Sequence, residues 1–250
     1  MSAQKASKVR MSLLALLALV LTAPASTAQY MAKNAAIYAP TVTPGVASLN
    51  WAGYALSGAG YSNVQGHWTQ PAATCTSGQS SMSGFWVGLG GFSASATGVE
   101  QIGTASNCDG KASPSYFAWY ELFPAPAVTL PINVQPGDSV DAQVTSSDGS
   151  YTFTLTTSSG GTFTTTQTPA VPGDNSSAEW IAEAPATCNP QMHCKVLPLT
   201  NFGGITYSGA DATPFDGGLT PIAMVTKTLT FKALPGRFQG SSFSVHWLHK

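Results

Sequence analysis

The chain has 250 residues, and only 8% of them are charged. Its 10 Lys and Arg are too few to cluster along a phosphate backbone, which excludes nucleic acid as a partner. Scarce carboxylates also leave few native ion pairs for acid to break, although any Ser- and Thr-rich exported β protein would share that composition.

Residues 1–28 read as a secretory signal peptide. Lys5, Lys8 and Arg10 give a basic start, residues 13–21 an apolar run, and Ser26-Thr27-Ala28 a cleavage site before Gln29. The run is shorter than the roughly 20 residues that span a bilayer, so no membrane association is expected after cleavage. The mature chain then has 7 basic and 11 acidic residues, a net charge of −4. Residues 29–48, rich in Ala, Thr and Pro, read as a short leader or loose arm. Residues 49–250 read as one domain, expected to be monomeric and secreted.

From Asn50 onward period-two alternation dominates. Val140, Ala142 and Val144 alternate with polar residues, as do Tyr151, Phe153 and Leu155, and Phe243, Val245 and Trp247. Pro136-Gly137-Asp138, Asp148-Gly149, Gly160-Gly161, Pro172-Gly173 and Asp216-Gly217-Gly218 mark turns. No mature segment keeps a helical period. The pattern predicts an all-β fold, an antiparallel, jelly-roll-like β-sandwich of two curved sheets.

The four cysteines, Cys75, Cys108, Cys188 and Cys194, all lie in the exported part. An even count there favours disulfides. Three pairings are possible, and nearest neighbours give Cys75–Cys108 and Cys188–Cys194. Without Cys-x-x-Cys spacing, no metal site is expected. There is no His-Glu-x-x-His and no Gly-x-Ser-x-Gly. His67, His193, His246 and His249 are scattered and read as surface or strand filler.

Two strand-like runs carry polar residues that a half-buried strand would avoid. In Ser177-Ala178-Glu179-Trp180-Ile181-Ala182-Glu183, Glu179, Ile181 and Glu183 share one face and Ala178, Trp180 and Ala182 the other. A carboxylate on a half-buried face needs a reason, because burying an unpaired charge is costly. In Gln101-Ile102-Gly103-Thr104, Gln101 and Gly103 face one way and Glu100 the other. Gly103 is expected to leave space for substrate beside the amide. Glu121 is embedded in the aromatic run Trp119-Tyr120-Glu121-Leu122-Phe123-Pro124. Glu179 and Gln101 together offer a carboxylate to activate water and an amide to hold a polarised carbonyl. A competing reading is a glycan-binding or glycan-hydrolysing jelly roll with Glu121 and Glu179 as its carboxylate pair. A third is a non-catalytic adhesion module.

Asn50-Trp51-Ala52-Gly53-Tyr54, Phe85-Trp86-Val87-Gly88, Gln101-Ile102-Gly103, Trp119 to Pro124 and Ala178-Glu179-Trp180-Ile181 occur in this order. The series resembles the eqolisin family, the glutamic endopeptidases, over about residues 49 to 250. The resemblance implies a sandwich of two antiparallel sheets and a pepstatin-insensitive acid endopeptidase. It implies protein or peptide substrates and no cofactor. It places the catalytic glutamine on Gln101 and the catalytic glutamate on Glu179, with Trp86, Glu121 and Trp51 lining or supporting the site. It also matches a small disulfide loop to Cys188–Cys194. Two departures stand out. Gly90 replaces an acidic residue of fungal members, and the segment before Asn50 is short for an inhibitory propeptide.

Overall fold

A computed structural model describes residues 20–21, 45–93, 96, 98–188, 194–216 and 218–249, with only the backbone described at Val20, Leu21 and Cys188. The signal peptide and leader expected from the sequence therefore lie largely outside the described residues, as does His193.

The strands are β1 (Val20–Leu21), β2 (Val46–Ser48), β3 (Trp51–Ser57), β4 (Asn63–Thr69), β5 (Ser80–Leu89) and β6 (Glu100–Asp109). Then come β7 (Ser115–Leu122), β8 (Val128–Thr129), β9 (Ser139–Ser147), β10 (Ser150–Thr157), β11 (Gly161–Gln167) and β12 (Ser177–Glu183). The chain continues through β13 (Ala186–Cys188), β14 (Cys194–Val196), β15 (Gly204–Thr213), β16 (Gly218–Val225), β17 (Phe231–Pro235) and β18 (Phe243–Trp247). No helix occurs among the described residues.

One hydrogen-bonded path runs β11-β10-β9-β4-β15-β18-β17-β16-β3-β12-β5-β6-β7-β8. It doubles back where β16 meets β17, whose extra residue Lys232 bulges between the Met224–Ala233 and Val225–Phe231 pairs. A sheet this long buries its apolar side only by folding over on itself, and the result is the expected two-layer antiparallel sandwich. Among the described strands one pair is parallel: β2 lies along β16, with Ala47 opposite Ala223.

Alternation decides which side chains enter the sandwich. Val64 and Trp68 of β4, with Tyr151, Phe153 and Leu155 of β10, meet Phe85 and Val87 of β5 and Trp180 of β12. The large aromatics carry polar tips that must find partners inside, and those bonds tie the layers. Trp180 Nε1 donates to the Gln65 carbonyl (2.7 Å), and Trp68 Nε1 to Thr104 Oγ1 (3.2 Å). The Tyr207 hydroxyl donates to the Ile181 carbonyl, also within the core.

The turns form where the glycines predict. Asp148 and Gly149 both have positive φ (50° and 74°), the backbone of a two-residue hairpin whose twist matches its strands. Cys75 and Cys108 form a disulfide with Cα atoms 5.5 Å apart. Cys194 is also disulfide-bonded, and it stands opposite Cys188 in the β13–β14 hairpin.

Candidate active site

The second layer has an inner face that packs into the sandwich and an outer face built differently. Register fixes the outer face row by row, because directly opposed residues project to the same side. Glu179 of β12 stands opposite Ala55 of β3 on one flank and Gly88 of β5 on the other. Gly88 stands opposite Gln101 of β6, and Gln101 opposite Glu121 of β7. A single row therefore reads Ala55, Glu179, Gly88, Gln101, Glu121. The next row reads Gly53, Ile181, Trp86, Gly103, Trp119, and the one after places Trp51 beside Glu183.

Two strand spacings separate the Glu179 and Gln101 backbones, about 10 Å. The intervening residue has no side chain. A Cβ on Gly88 would stand 2.9 Å from Trp86 Cζ3 and 3.1 Å from Gln101 Cβ. The glycine thus opens a slot between carboxylate and amide, with the indole edge as its wall. Gly103 does not open that room. A Cβ there would lie 2.0 Å from the Phe85 carbonyl oxygen and 2.6 Å from Trp86 Cβ, so Gly103 is where two backbones approach closely.

Glu179, Gln101 and Glu121 are fully buried. Gln101 Nε2 donates to Glu121 Oε2 at 2.7 Å. Among the described residues, both Glu179 oxygens, Gln101 Oε1 and Glu121 Oε1 have no hydrogen-bond partner. Buried polar atoms are nearly always paired, so four orphaned oxygens on one row mark a place built for something else to bind.

Burial pushes the Glu179 carboxyl well above the ordinary carboxylate range. The neighbouring Ser177 side chain opposes the shift, and the charges of Asp174 and Glu100 add to it. Glu121 is pushed well up by burial and by the Glu183 charge, against the Gln101 N–H. Burial raises Glu183 to about 8, although the Trp86 and Asn50 side chains lower it. Glu100, on the opposite face of β6, rises to about 8 through burial and the Asp174 charge.

All five residues expected at the site therefore share this face: Glu179, Gln101, Glu121, Trp86 and Trp51. The two indoles meet edge to face, with centroids 4.9 Å apart. Sequence reasoning missed three participants. Gly88 is the spacer, Glu183 accepts from Trp86 Nε1 (2.8 Å) and Asn50 Nδ2 (3.1 Å), and Asp174 reaches the rim. Alternation already placed Glu183 on the right face, but its partner lies 97 residues away. Asp174 bears on the departure at position 90. Its Oδ1 lies 3.3 Å from where a Gly90 Cβ would stand, so a carboxylate from the loop before β12 stands beside the glycine. Among the described residues no three His, Cys, Asp or Glu side chains gather as a metal site.

The model of the Peptidase A4 family matches residues 49–231. Aspergillopepsin-2 of Aspergillus niger is 32% identical over 199 residues, 69% of this chain and 66% of that protein, so the chain spans just under two thirds of that relative. The fold is similar to scytalido-glutamic peptidase, solved with a transition-state analog inhibitor. The TM-score is 0.69 at 22% identity, covering 80% of this chain and 98% of that one. It is also similar to SCP-B, an eqolisin solved with the tripeptide Ala-Ile-His, with a TM-score of 0.64 at 22% identity over the same shares.

Proposed function

Because the chain belongs to the Peptidase A4 family, the eqolisins, we propose that it is a secreted acid endopeptidase in which Glu179 and Gln101 activate one water against a peptide carbonyl. The observation that carries this reading is the row itself. Both oxygens of Glu179 and the Oε1 of Gln101 are buried and unpartnered across a glycine.

The chemistry follows from those groups. Ionised Glu179 takes a proton from water while the water oxygen bonds to the scissile carbonyl carbon. The carbonyl oxygen becomes an oxyanion and accepts a Gln101 Nε2–H. Glu179 then passes its proton to the amide nitrogen, the C–N bond breaks, and an acid and an amine leave. Glu121 holds the other Nε2–H, which orients the amide. A carboxyl buried without donors keeps its proton. A water that donates to it lowers its pKa and prepares it as a base.

The rest of the reading is proposed with it. Residues 1–28 direct export, residues 29–48 form a short leader or loose arm, and the mature enzyme acts as a monomer on protein or peptide substrates. The Cys75–Cys108 bridge suits an oxidising compartment. The glycan-hydrolase reading is disfavoured, because Gln101 stands between Glu121 and Glu179 and takes up one Glu121 oxygen.

Casein digestion at acid pH with pepstatin present tests the reading. The wild type is expected to cut and Glu179→Gln is not. A folded Glu179→Gln protein that digests casein at the wild-type rate removes Glu179 from the chemistry.

A further inference from the structure

We propose that Glu183 is a positioning residue that clamps Trp86, so that the indole edge keeps the width of the slot between Glu179 and Gln101. The inference rests on the peptidase reading of that slot. Glu183 is buried on the same face as Glu179, two rows along β12. Its two oxygens each accept one side-chain N–H, Oε2 from Trp86 Nε1 at 2.8 Å and Oε1 from Asn50 Nδ2 at 3.1 Å.

Both partners lead somewhere. The far edge of the Trp86 ring reaches the slot, with Cζ3 2.9 Å from the Cβ position of Gly88. Asn50 belongs to a bend closed by Ser48. Ser48 Oγ donates to Asn50 Oδ1 (3.2 Å) and accepts from the backbone N–H groups of Asn50 (3.3 Å) and Trp51 (3.1 Å). Trp51 then meets Trp86 edge to face. One carboxyl thus fixes the indole from its pyrrole end and fixes the bend that backs it.

The choice of residue follows from the donors. The two N–H groups arrive at different oxygens, so both ends of the side chain must be able to accept. Glutamine has one oxygen, and its NH₂ would face an N–H. Aspartate is one methylene shorter. Glu183 makes no hydrogen bond to the row of Glu179 and Gln101. Its charge bears on Glu121 from two rows away, but its hydrogen bonds reach the slot through Trp86.

A double-mutant cycle tests this with the full-length secreted protein. Glu183→Gln and Trp86→Phe are each expected to lower kcat by about 10²-fold, the scale of a 1 Å misplacement, with a smaller change in KM. The double variant is expected to be no slower than either single. Losses that multiply in the double variant overturn the clamp. So does a Glu183→Gln protein that melts earlier but turns over normally, since that makes Glu183 merely structural. Indole N–H hydrogen exchange in the wild type gives a measurement that needs no folded Glu183 variant, with the Trp86 signal assigned through Trp86→Phe. A Trp86 N–H that exchanges as fast as an exposed indole overturns the clamp. Glu179→Gln separates the two ideas: if it stays active, the peptidase reading of the slot fails, whereas normal turnover in Glu183→Gln fails the clamp alone.

Discussion

The two outer faces of the sandwich are made by the same alternation and end in opposite states. On the first layer, β4, β9, β10 and β11 present Gln, His, Asp and Thr to solvent, and these groups satisfy one another. Thr152 pairs with Thr166 (2.8 Å), Thr154 with Thr164 (3.3 Å) and Thr156 with Thr162 (2.9 Å). Gln143 donates to Asn63 (2.7 Å), and His67 meets Asp141 (3.0 Å). A hollow of about 310 Å³ lies there, lined by Gln65, His67, Asp141, Gln143, Thr154 and Thr156 among others. The second layer's outer face buries its polar groups and leaves four oxygens unpaired. Acid type divides by burial as well. The chain has four glutamates, and all are buried, whereas six of its seven aspartates are exposed. Polarity on a strand therefore does not mark a site. Four unpartnered oxygens gathered on one row do.

The sharpest way to break this contrast is to mutate the same position in a row on each face. Glu179→Gln is expected to cut turnover by about 10²–10⁴, the range of general acid–base catalysis. Gln101→Ala is expected to lose about 10²–10³, with KM less affected, as for one oxyanion donor. Thr154→Ala on the other layer is expected to leave kcat unchanged. Steady-state kinetics on one peptide substrate reads all three, and equal losses at Thr154 and Gln101 would erase the distinction.

Gly88 tests the spacer. Gly88→Ala places a methyl 2.9 Å from the Trp86 ring and 3.1 Å from Gln101 Cβ. Turnover is expected to fall by about 10²-fold, while overpacking costs about 1–3 kcal/mol of stability. Denaturant melts alongside kinetics separate the two effects. A Gly88→Ala enzyme with native kcat would mean that the slot is not where water attacks.

The buried glutamates also set how stability depends on pH. Glu100 and Glu183 are raised from 4.5 to about 8, and Glu121 and Glu179 move the same way. Between those values the native state holds more protons than the unfolded chain. For Glu100 and Glu183 that stabilisation is therefore complete below about pH 4.5 and is lost as pH rises through about 8, and Glu121 and Glu179 add to it in the same direction. Thermal melts are expected to show a protein more stable in acid than at neutral pH, the reverse of one held by ion pairs. Glu179→Gln is expected to raise the melting temperature at pH 7, because it removes the ionisation that burial opposes. That gain is expected to vanish below pH 4.5. A melting temperature that climbs from pH 4 to pH 8 would overturn the assignment.

Much of this was legible in the chain, for reasons of range. Alternation is local, and it placed Tyr151, Phe153 and Leu155 inside and Glu179 and Gln101 outside the sandwich. The Cys75–Cys108 pairing followed from proximity in sequence. Register is not local. That Gly88 falls between Glu179 and Gln101 depends on β12 pairing with β5 across some ninety residues. The same dependence hid the bond from Trp86 to Glu183. Gly103 was given the spacer role because both glycines lack a side chain. Only the approach of the Phe85 carbonyl tells an open position from a crowded one.

The smallest expected effect lies at an ion pair on the first layer's outer face. His67 and Asp141 are opposed in the β4–β9 ladder, with Nδ1 and Oδ1 3.0 Å apart. The side chains are 39% and 67% exposed, so water and salt screen the attraction and two side chains lose freedom to make it. Exposed pairs of this kind contribute about 0–1 kcal/mol. A double-mutant cycle with His67→Gln and Asp141→Asn is expected to give a coupling of about 0.5 kcal/mol or less, fading with added salt. Peptidase activity is expected to stay at the wild-type level in both variants. A coupling several times larger, or a loss of turnover, would mean that this polar face, too, does more than meet solvent.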